Sequence, residues 1–336
     1  MDVVARMRAQ VYSQYGGPEV LELRTDLPEP RPGPTEVLVE VRASAVNPVD
    51  WKLRRGNLRK VLRRPFPIVP GRDFCGVVLE CGSQATTVAR GDEVFGLTPL
   101  RGPGSHADRI CVPEQNLALA PRRLHGFEAA AVPLVGLTAI QASEAAQLRA
   151  GDRALVHGGA GAVGALVVQY LRHLGVAVSA TASARNLDYL RSLGADPIDY
   201  RSERFEAQVD QLDAVIDCVG GEVERRSFAV LRRGGRLVTV AGPDPDAELN
   251  LVNAIKLGAP TSMRLLGQLA RGRRYQFVSA RVDHKRLVQL AQIVDARTIE
   301  VRIDHELGVM GLAQLAQAHA AGERGEARGK LVIDHK

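Results

Sequence analysis

At 336 residues, with 45% hydrophobic and 24% charged side chains, the chain has a globular composition and enough length for two hydrophobic cores. No uninterrupted apolar run reaches the length of a bilayer crossing, residues 1–10 lack the apolar core of a targeting peptide, and the four cysteines, Cys75, Cys81, Cys111 and Cys218, are scattered without a C-x-x-C pair. Neither a membrane partner nor a disulfide framework is therefore expected, and the cytoplasm is the expected location. The net charge of +6 raises nucleic acid as a partner, but the basic excess sits in residues 51–64, where Trp51 is the lone aromatic. Without stacking residues, no nucleic-acid role is expected.

In chain order, the phrase from Met7 into residues 8–12 opens a first strand, which leaves the first six residues as an expected start-site extension. Short β-type runs follow at residues 36–42 and 76–80. Pro28, Pro30, Pro32 and Pro34 mark a turn-rich connection, and Gly82, Gly91 and Gly96 separate further strands. This texture predicts a compact barrel-like lobe. Across residues 126–150 the chain becomes alanine-rich and helical. Strand and helix then alternate: strands at 153–157, 176–182, 197–200, 214–219, 235–242 and 275–282, enough for a doubly wound sheet of six strands. Beyond Asp295 a strand at 299–303, a helix near 310–321 and a closing strand at 330–333 are expected to return to the first lobe.

The first strand of that alternation breaks into Gly158-Gly-Ala-Gly-Ala-Val-Gly164 and runs directly into a helical pattern closed by Gly175. Gly159, Gly161 and Gly164 stand in G-x-G-x-x-G spacing. The first is read as the turn out of the strand, the second as room for a pyrophosphate, and the third as close packing of helix on sheet. The helix N-terminus then faces the phosphates. Where an NAD site carries a carboxylate, about 20 residues beyond the glycines, the chain instead has Ser183 and Arg185. A hydroxyl and a guanidinium suit a 2′-phosphate, which makes NADP(H) the expected cofactor.

Further phrases complete the pattern: residues 15–21 (YGGPEVL), 45–50 (AVNPVD), 70–73 (PGRD), 91–95 (GDEVF), 133–138 (PLVGLT) and 328–332 (RGKLV). In this order they resemble the zinc-independent medium-chain dehydrogenase/reductases, in the quinone oxidoreductase and enone reductase branch. The resemblance implies an α/β fold: a GroES-like β-barrel substrate lobe and a doubly wound six-stranded parallel Rossmann sheet. It divides the chain into residues 1–130 as the substrate domain, 131–296 as the NADP-binding domain, and 297–336 as the return to the first. Zinc-using relatives place a Cys and a Gly-His-Glu phrase where this chain has residues 47–50 (NPVD) and 71–73 (GRD), so no metal site is expected.

By the same resemblance, Asn47 and Thr138 lie near the nicotinamide. Lys52 faces the substrate to stabilise or protonate a developing enolate; Asn47 and Asp50 are grouped with it as catalytic candidates, the alternative for Asp50 being a turn or cap residue that only braces the loop. Ala160, Gly161, Ala162, Val163 and Gly164 hold the pyrophosphate, and Ser183 and Arg185 hold the 2′-phosphate. Tyr200 lies near the adenosine phosphate, while Cys218, Val219, Ala241 and Gly242 end the fourth and fifth strands at the ligand edge. Arg72 and Asp73 read as a buried pair, and His106 and His157 as structural histidines. The implied activity is metal-free hydride transfer from NADPH to quinones, enones or 2-alkenals by a homodimer, paired through the 275–282 strands. An enoyl-thioester reductase and a non-catalytic, crystallin-like NADPH-binding protein remain as alternatives.

Overall fold

Short strands separated by Pro- and Gly-containing turns build the first unit, β1 (Arg6–Val11), β2 (Glu22–Pro28), β3 (Glu36–Val46), β4 (Asp73–Cys81), β5 (Glu93–Leu97), β6 (Arg109–Pro113) and β7 (Leu117–Leu119), with Val the commonest residue of β3. They belong to a computed structural model that describes residues 5–60, 62–241, 272–304 and 306–336. Along β6 burial alternates, so that Ile110 and Val112 point inward. There they join Val37, Val39, Phe74, Val94 and Leu117 in one core. In its N-terminal part this unit carries the helices α1 (Pro48–Arg54) after β3 and α2 (Phe127–Ala130) after β7.

A third helix, α3 (Pro133–Ala146), leads into the second unit, where β8 (Arg153–His157), α4 (Ala162–His173), β9 (Ala177–Ala182), α5 (Leu187–Ser192), β10 (Asp196–Asp199), β11 (Leu212–Asp217), β12 (Leu231–Thr239) and β13 (Arg274–Phe277) follow. The sheet order is β10-β9-β8-β11-β12-β13 and every neighbouring pair is parallel, as expected of a doubly wound fold. Leu155, Val215 and Leu237 are fully buried in its core.

The chain then re-enters the first unit. β14 (Met310–Gly311) pairs with β15 (Leu331–Asp334), which pairs antiparallel with β3, giving a seven-stranded sheet in the order β14-β15-β3-β4-β5-β7 with β6 also on β3. The units are Met1–Leu137 with Val282–Lys336, and Thr138–Arg281.

Two expectations are corrected here. The helix His284–Asp295, grouped by sequence with the nucleotide lobe, belongs to the first unit: His284 Nδ1 lies 2.8 Å from Leu117 O, and the N–H of Arg123 donates to Asp295 Oδ1 at 3.2 Å. Residues 299–303 form no strand; Ile303 alone makes a bridge, to Lys330. Alternating apolar residues favour a strand only where a sheet edge receives them, and here β15 pairs with β14 and β3.

Candidate active site

In the second unit the strand-to-helix turn is built as the glycine spacing predicts, with one change. The left-handed conformation belongs to Gly158, φ +69°, rather than to Gly159. Gly161 caps α4 with φ −74°, and a side chain there would meet only Gly158 O, at 3.2 Å. Gly164 is the crowded position, where an added Cβ would fall 2.2 Å from Gly158 O. Ala162 and Val163 form the first turn of α4, and Ala160 lies in the turn before it. The strand end behind this cradle is braced by His157, with Nδ1 3.1 Å from Thr181 Oγ1 and Nε2 3.0 Å from Ser227 Oγ. Both imidazole nitrogens are thus satisfied, and burial pushes His157 down to about 4.

Ser183 follows β9 half-buried, and Arg185 is exposed in the short 3₁₀ turn after it. Tyr200 follows the adjacent β10; its N–H donates to Ala182 O at 3.2 Å, and the Arg201 guanidinium lies 5.8 Å from its ring centre. These residues share the carboxyl edge of the sheet, where an open α/β fold takes its ligand. The ends of β11 and β12 are organised by Asp217, which the sequence reading did not select. Its carboxylate accepts from the N–H groups of Val219 and Gly220 at 2.9 and 3.0 Å and from Thr239 Oγ1 at 3.1 Å. Thr239 Oγ1 accepts from the Ala241 N–H at 3.2 Å. Cys218 lies between them with its thiol pushed up to about 12 by burial and by Asp217, which rules out a thiolate role near neutrality. Gly242 lies outside the described residues.

In the first unit, Pro48 opens α1 with a preset φ, and Asn47 is its N-cap. Asn47 is 1% exposed and its amide is engaged inward: Nδ2 donates to Asp73 Oδ2 at 2.8 Å, and Oδ1 accepts from Lys330 Nζ at 2.6 Å. Asp50 is equally buried; Oδ2 accepts from the Asn47 N–H at 2.8 Å, while Oδ1 has no partner among the described residues. Burial pushes its carboxyl up to about 7, the Asn47 N–H opposing and Asp73 reinforcing the shift. Asn47 and Asp50 therefore shape the loop from within. Lys52, on the same helix, is half-exposed, and its ammonium has no hydrogen bond or ion pair among the described residues. Thr138 is half-buried on α3, one turn beyond Leu134.

The expected Arg72–Asp73 pair is replaced by another. Asp73 pairs with Lys330 at 2.9 Å, and Arg72 Nε donates to Thr98 O at 2.7 Å. Sequence reasoning missed Lys330 because no local motif marks a buried lysine. The basic run is likewise less solvated than its composition suggests. Arg54 is fully buried, donating to Glu323, to His319 Nδ1 at 2.9 Å and to Gly16 O at 3.2 Å. Arg55 also pairs with Glu323, and Arg64 donates to Gly102 O. His106 is buried, with Ser44 Oγ 2.8 Å from its Nδ1 and 2.8 Å from His335 Nε2.

A barrel-type unit and a doubly wound unit with a phosphate-type glycine turn define a two-part nucleotide-dependent class. Comparison with known proteins agrees. A family model described as "Alcohol dehydrogenase GroES-like domain" matches residues 33–122, and one described as "Zinc-binding dehydrogenase" matches residues 193–333. A 2-methylene-furan-3-one reductase of Solanum lycopersicum is 41% identical over 72% of this chain and 64% of its own length. An NADPH-dependent alkenal/one oxidoreductase, chloroplastic, of Arabidopsis thaliana is 40% identical over 70% of this chain and 63% of its own. The chain thus spans somewhat under two thirds of these two relatives. The solved quinone oxidoreductase from Coxiella burnetii is 32% identical with a TM-score of 0.84, covering 99% of this chain and 100% of that one. The chain belongs to the medium-chain dehydrogenase/reductase family, in the branch of quinone oxidoreductases and enone reductases.

The family uses a nicotinamide cofactor, and the glycine turn fits one: Gly161 leaves open space beside the α4 N-terminus, and Gly164 lets the helix approach. A zinc ion does not fit the polar centre at Asn47. The Lys330 ammonium is held there by the Asn47 amide oxygen, the Asp73 carboxylate and the Val46 carbonyl, and among the described residues no soft or imidazole donor contacts them.

Proposed function

We propose that the protein is an NADPH-dependent reductase of α,β-unsaturated carbonyls and quinones. The observation that carries this reading is Lys52: a half-exposed cation, unpartnered among the described residues, held on a short helix whose neighbouring Asn47 and Asp50 are buried. Such an ammonium suits the oxygen of an enone, where negative charge develops as the double bond is reduced. The kinship with relatives named as enone and alkenal reductases supports the same substrate class.

When bound, the reduced nicotinamide supplies the hydride equivalent. The chain's own contributions are positioning and charge. The turn from Gly158 to Gly164 and the α4 N–H groups receive the pyrophosphate. Ser183 and the exposed Arg185 receive the 2′-phosphate, and no carboxylate stands at 183–186 to repel it. Lys52 holds the substrate oxygen and can deliver a proton to it. We further infer a homodimer: β13 ends the parallel sheet, and Phe277 on it is 49% exposed. Four unpaired cysteines suit a reducing compartment, for which we propose the cytoplasm.

The test is NADPH consumption against quinones, 2-alkenals, cyclic enones and enoyl-CoA, each repeated with NADH. Turnover of enones or quinones with NADPH preferred is expected. Preference for NADH would overturn the 2′-phosphate assignment, turnover of enoyl-CoA alone would point to a thioester reductase, and no turnover would leave a binding protein.

A further inference from the structure

A buried ammonium is costly unless its donors are engaged. Lys330, 3% exposed, engages all three: Asn47 Oδ1 at 2.6 Å, Asp73 Oδ2 at 2.9 Å and Val46 O at 3.2 Å. Asp73 extends the arrangement. Its Oδ2 also accepts from Asn47 Nδ2 at 2.8 Å, and its Oδ1 accepts from the Leu134 N–H at 2.8 Å in the first turn of α3. Lysine, amide and carboxylate thus close a triangle joined to the N-terminal turns of two helices. A helix N-terminus leaves N–H groups without intrahelical partners, so the carboxylate both satisfies a donor and complements the helix dipole.

We propose that Lys330 is a positioning residue for the reaction, a fixed internal cation that locks the Asn47 turn from which α1 presents Lys52 and, through Asp73, pins the start of α3. Three buried polar groups are a poor way to add stability, because an apolar trio of similar volume serves as well or better. What they add is direction. Every polar contact of the Asn47 side chain runs inward, and the helix it caps is short enough that a shift at this N-cap moves Lys52, five residues on. The packing of Trp51 follows from the same placement: its ring lies against Gly322, where an added Cβ would come within 2.8 Å of it. The catalytic half of this role rests on the reductase reading above.

The test compares Lys330→Met, Lys330→Arg and the double variant Lys330→Met/Asp73→Asn in the full chain. The double variant removes both charges, so it leaves no uncompensated carboxylate and decides the matter if Lys330→Met fails to fold. The expected result is a folded double variant with unchanged NADPH affinity, a kcat for enones lower by about tenfold to a hundredfold, and partial recovery in Lys330→Arg. A folded double variant with native kcat, or an arginine variant no better than methionine, would overturn the proposal. Hydrogen exchange of residues 47–54 and 133–138 gives a reading independent of turnover. If the wild-type protein reduces nothing in the panel, the reductase reading fails, and native protection of those segments in the double variant would sink the positioning role too.

Discussion

Lys52 carries the chemistry proposed for this protein, and a substitution there separates a catalytic cation from a merely solvated one. Lys52→Ala is expected to lower kcat/KM for enones by about a hundredfold while NADPH affinity stays unchanged, the loss typical of one removed charge-stabilising donor. An unaltered kcat/KM, read from initial rates, would remove Lys52 from the mechanism. Candidates of this kind were visible in the sequence because they sit in short phrases: Lys52 follows Asn47-Pro-Val-Asp, and Arg185 stands where a carboxylate is absent. Lys330 was not. Its partners are 257 and 283 residues away, and a lysine in a closing strand has the same local signature whether it faces solvent or a carboxylate. Arg54 was hidden in the same way, inside a run whose charge suggested a wet surface, with its carboxylate 269 residues further on.

The turn into α4 shows what an element adds to its residues. Gly164 and Gly161 belong to one motif, yet their neighbours differ, so alanine should act differently at each. At Gly164 the new methyl meets backbone oxygen at 2.2 Å, which no side-chain rotation relieves. Alanine favours a helix over glycine by about 1 kcal/mol, while overpacking costs about 1–3 kcal/mol, so a net loss of up to about 2 kcal/mol is expected in urea unfolding. Gly161→Ala should fold with native stability, since φ is −74° and only one atom is near, and should instead weaken NADPH binding measured by fluorescence titration. Equal stability losses at both would contradict the assignment of space to the ligand. Alternation of strand and helix made the parallel sheet readable, and the glycine spacing marked the turn from β8 into α4. The positive φ fell on Gly158 because turn geometry is shared among adjacent glycines, and residues 299–303 lacked a strand partner that no local pattern reveals.

At the scale of the whole molecule, burial of histidines sets an acid limit. Burial holds His106 well below its ordinary 6.5 and pushes His157, His319 and His335 down to about 4, 3 and 4. The unfolded chain therefore takes up protons from about pH 6.5 downward while the folded chain refuses them, and stability falls as pH drops through that window. Asp50 works in the opposite sense. Its folded value of about 7 exceeds the ordinary 3.8, so its contribution is present at low pH and is lost as pH rises through 7. Four imidazoles outweigh one carboxyl between pH 4 and 6.5. The urea midpoint is accordingly expected to fall between pH 7 and pH 5, and a midpoint that rises on acidification would refute the burial of these imidazoles as neutral groups.

The pairing of β15 with β3 also orders events at the ribosome. β3 emerges early, but its neighbour is translated only after all of the Thr138–Arg281 unit has been made. The nucleotide-type unit is thus free to mature while the barrel still waits with an open seam, and Lys330 arrives with the strand that seals it. Completion of the first unit becomes a late step, before which an apolar edge stays exposed to chaperones or to misassembly.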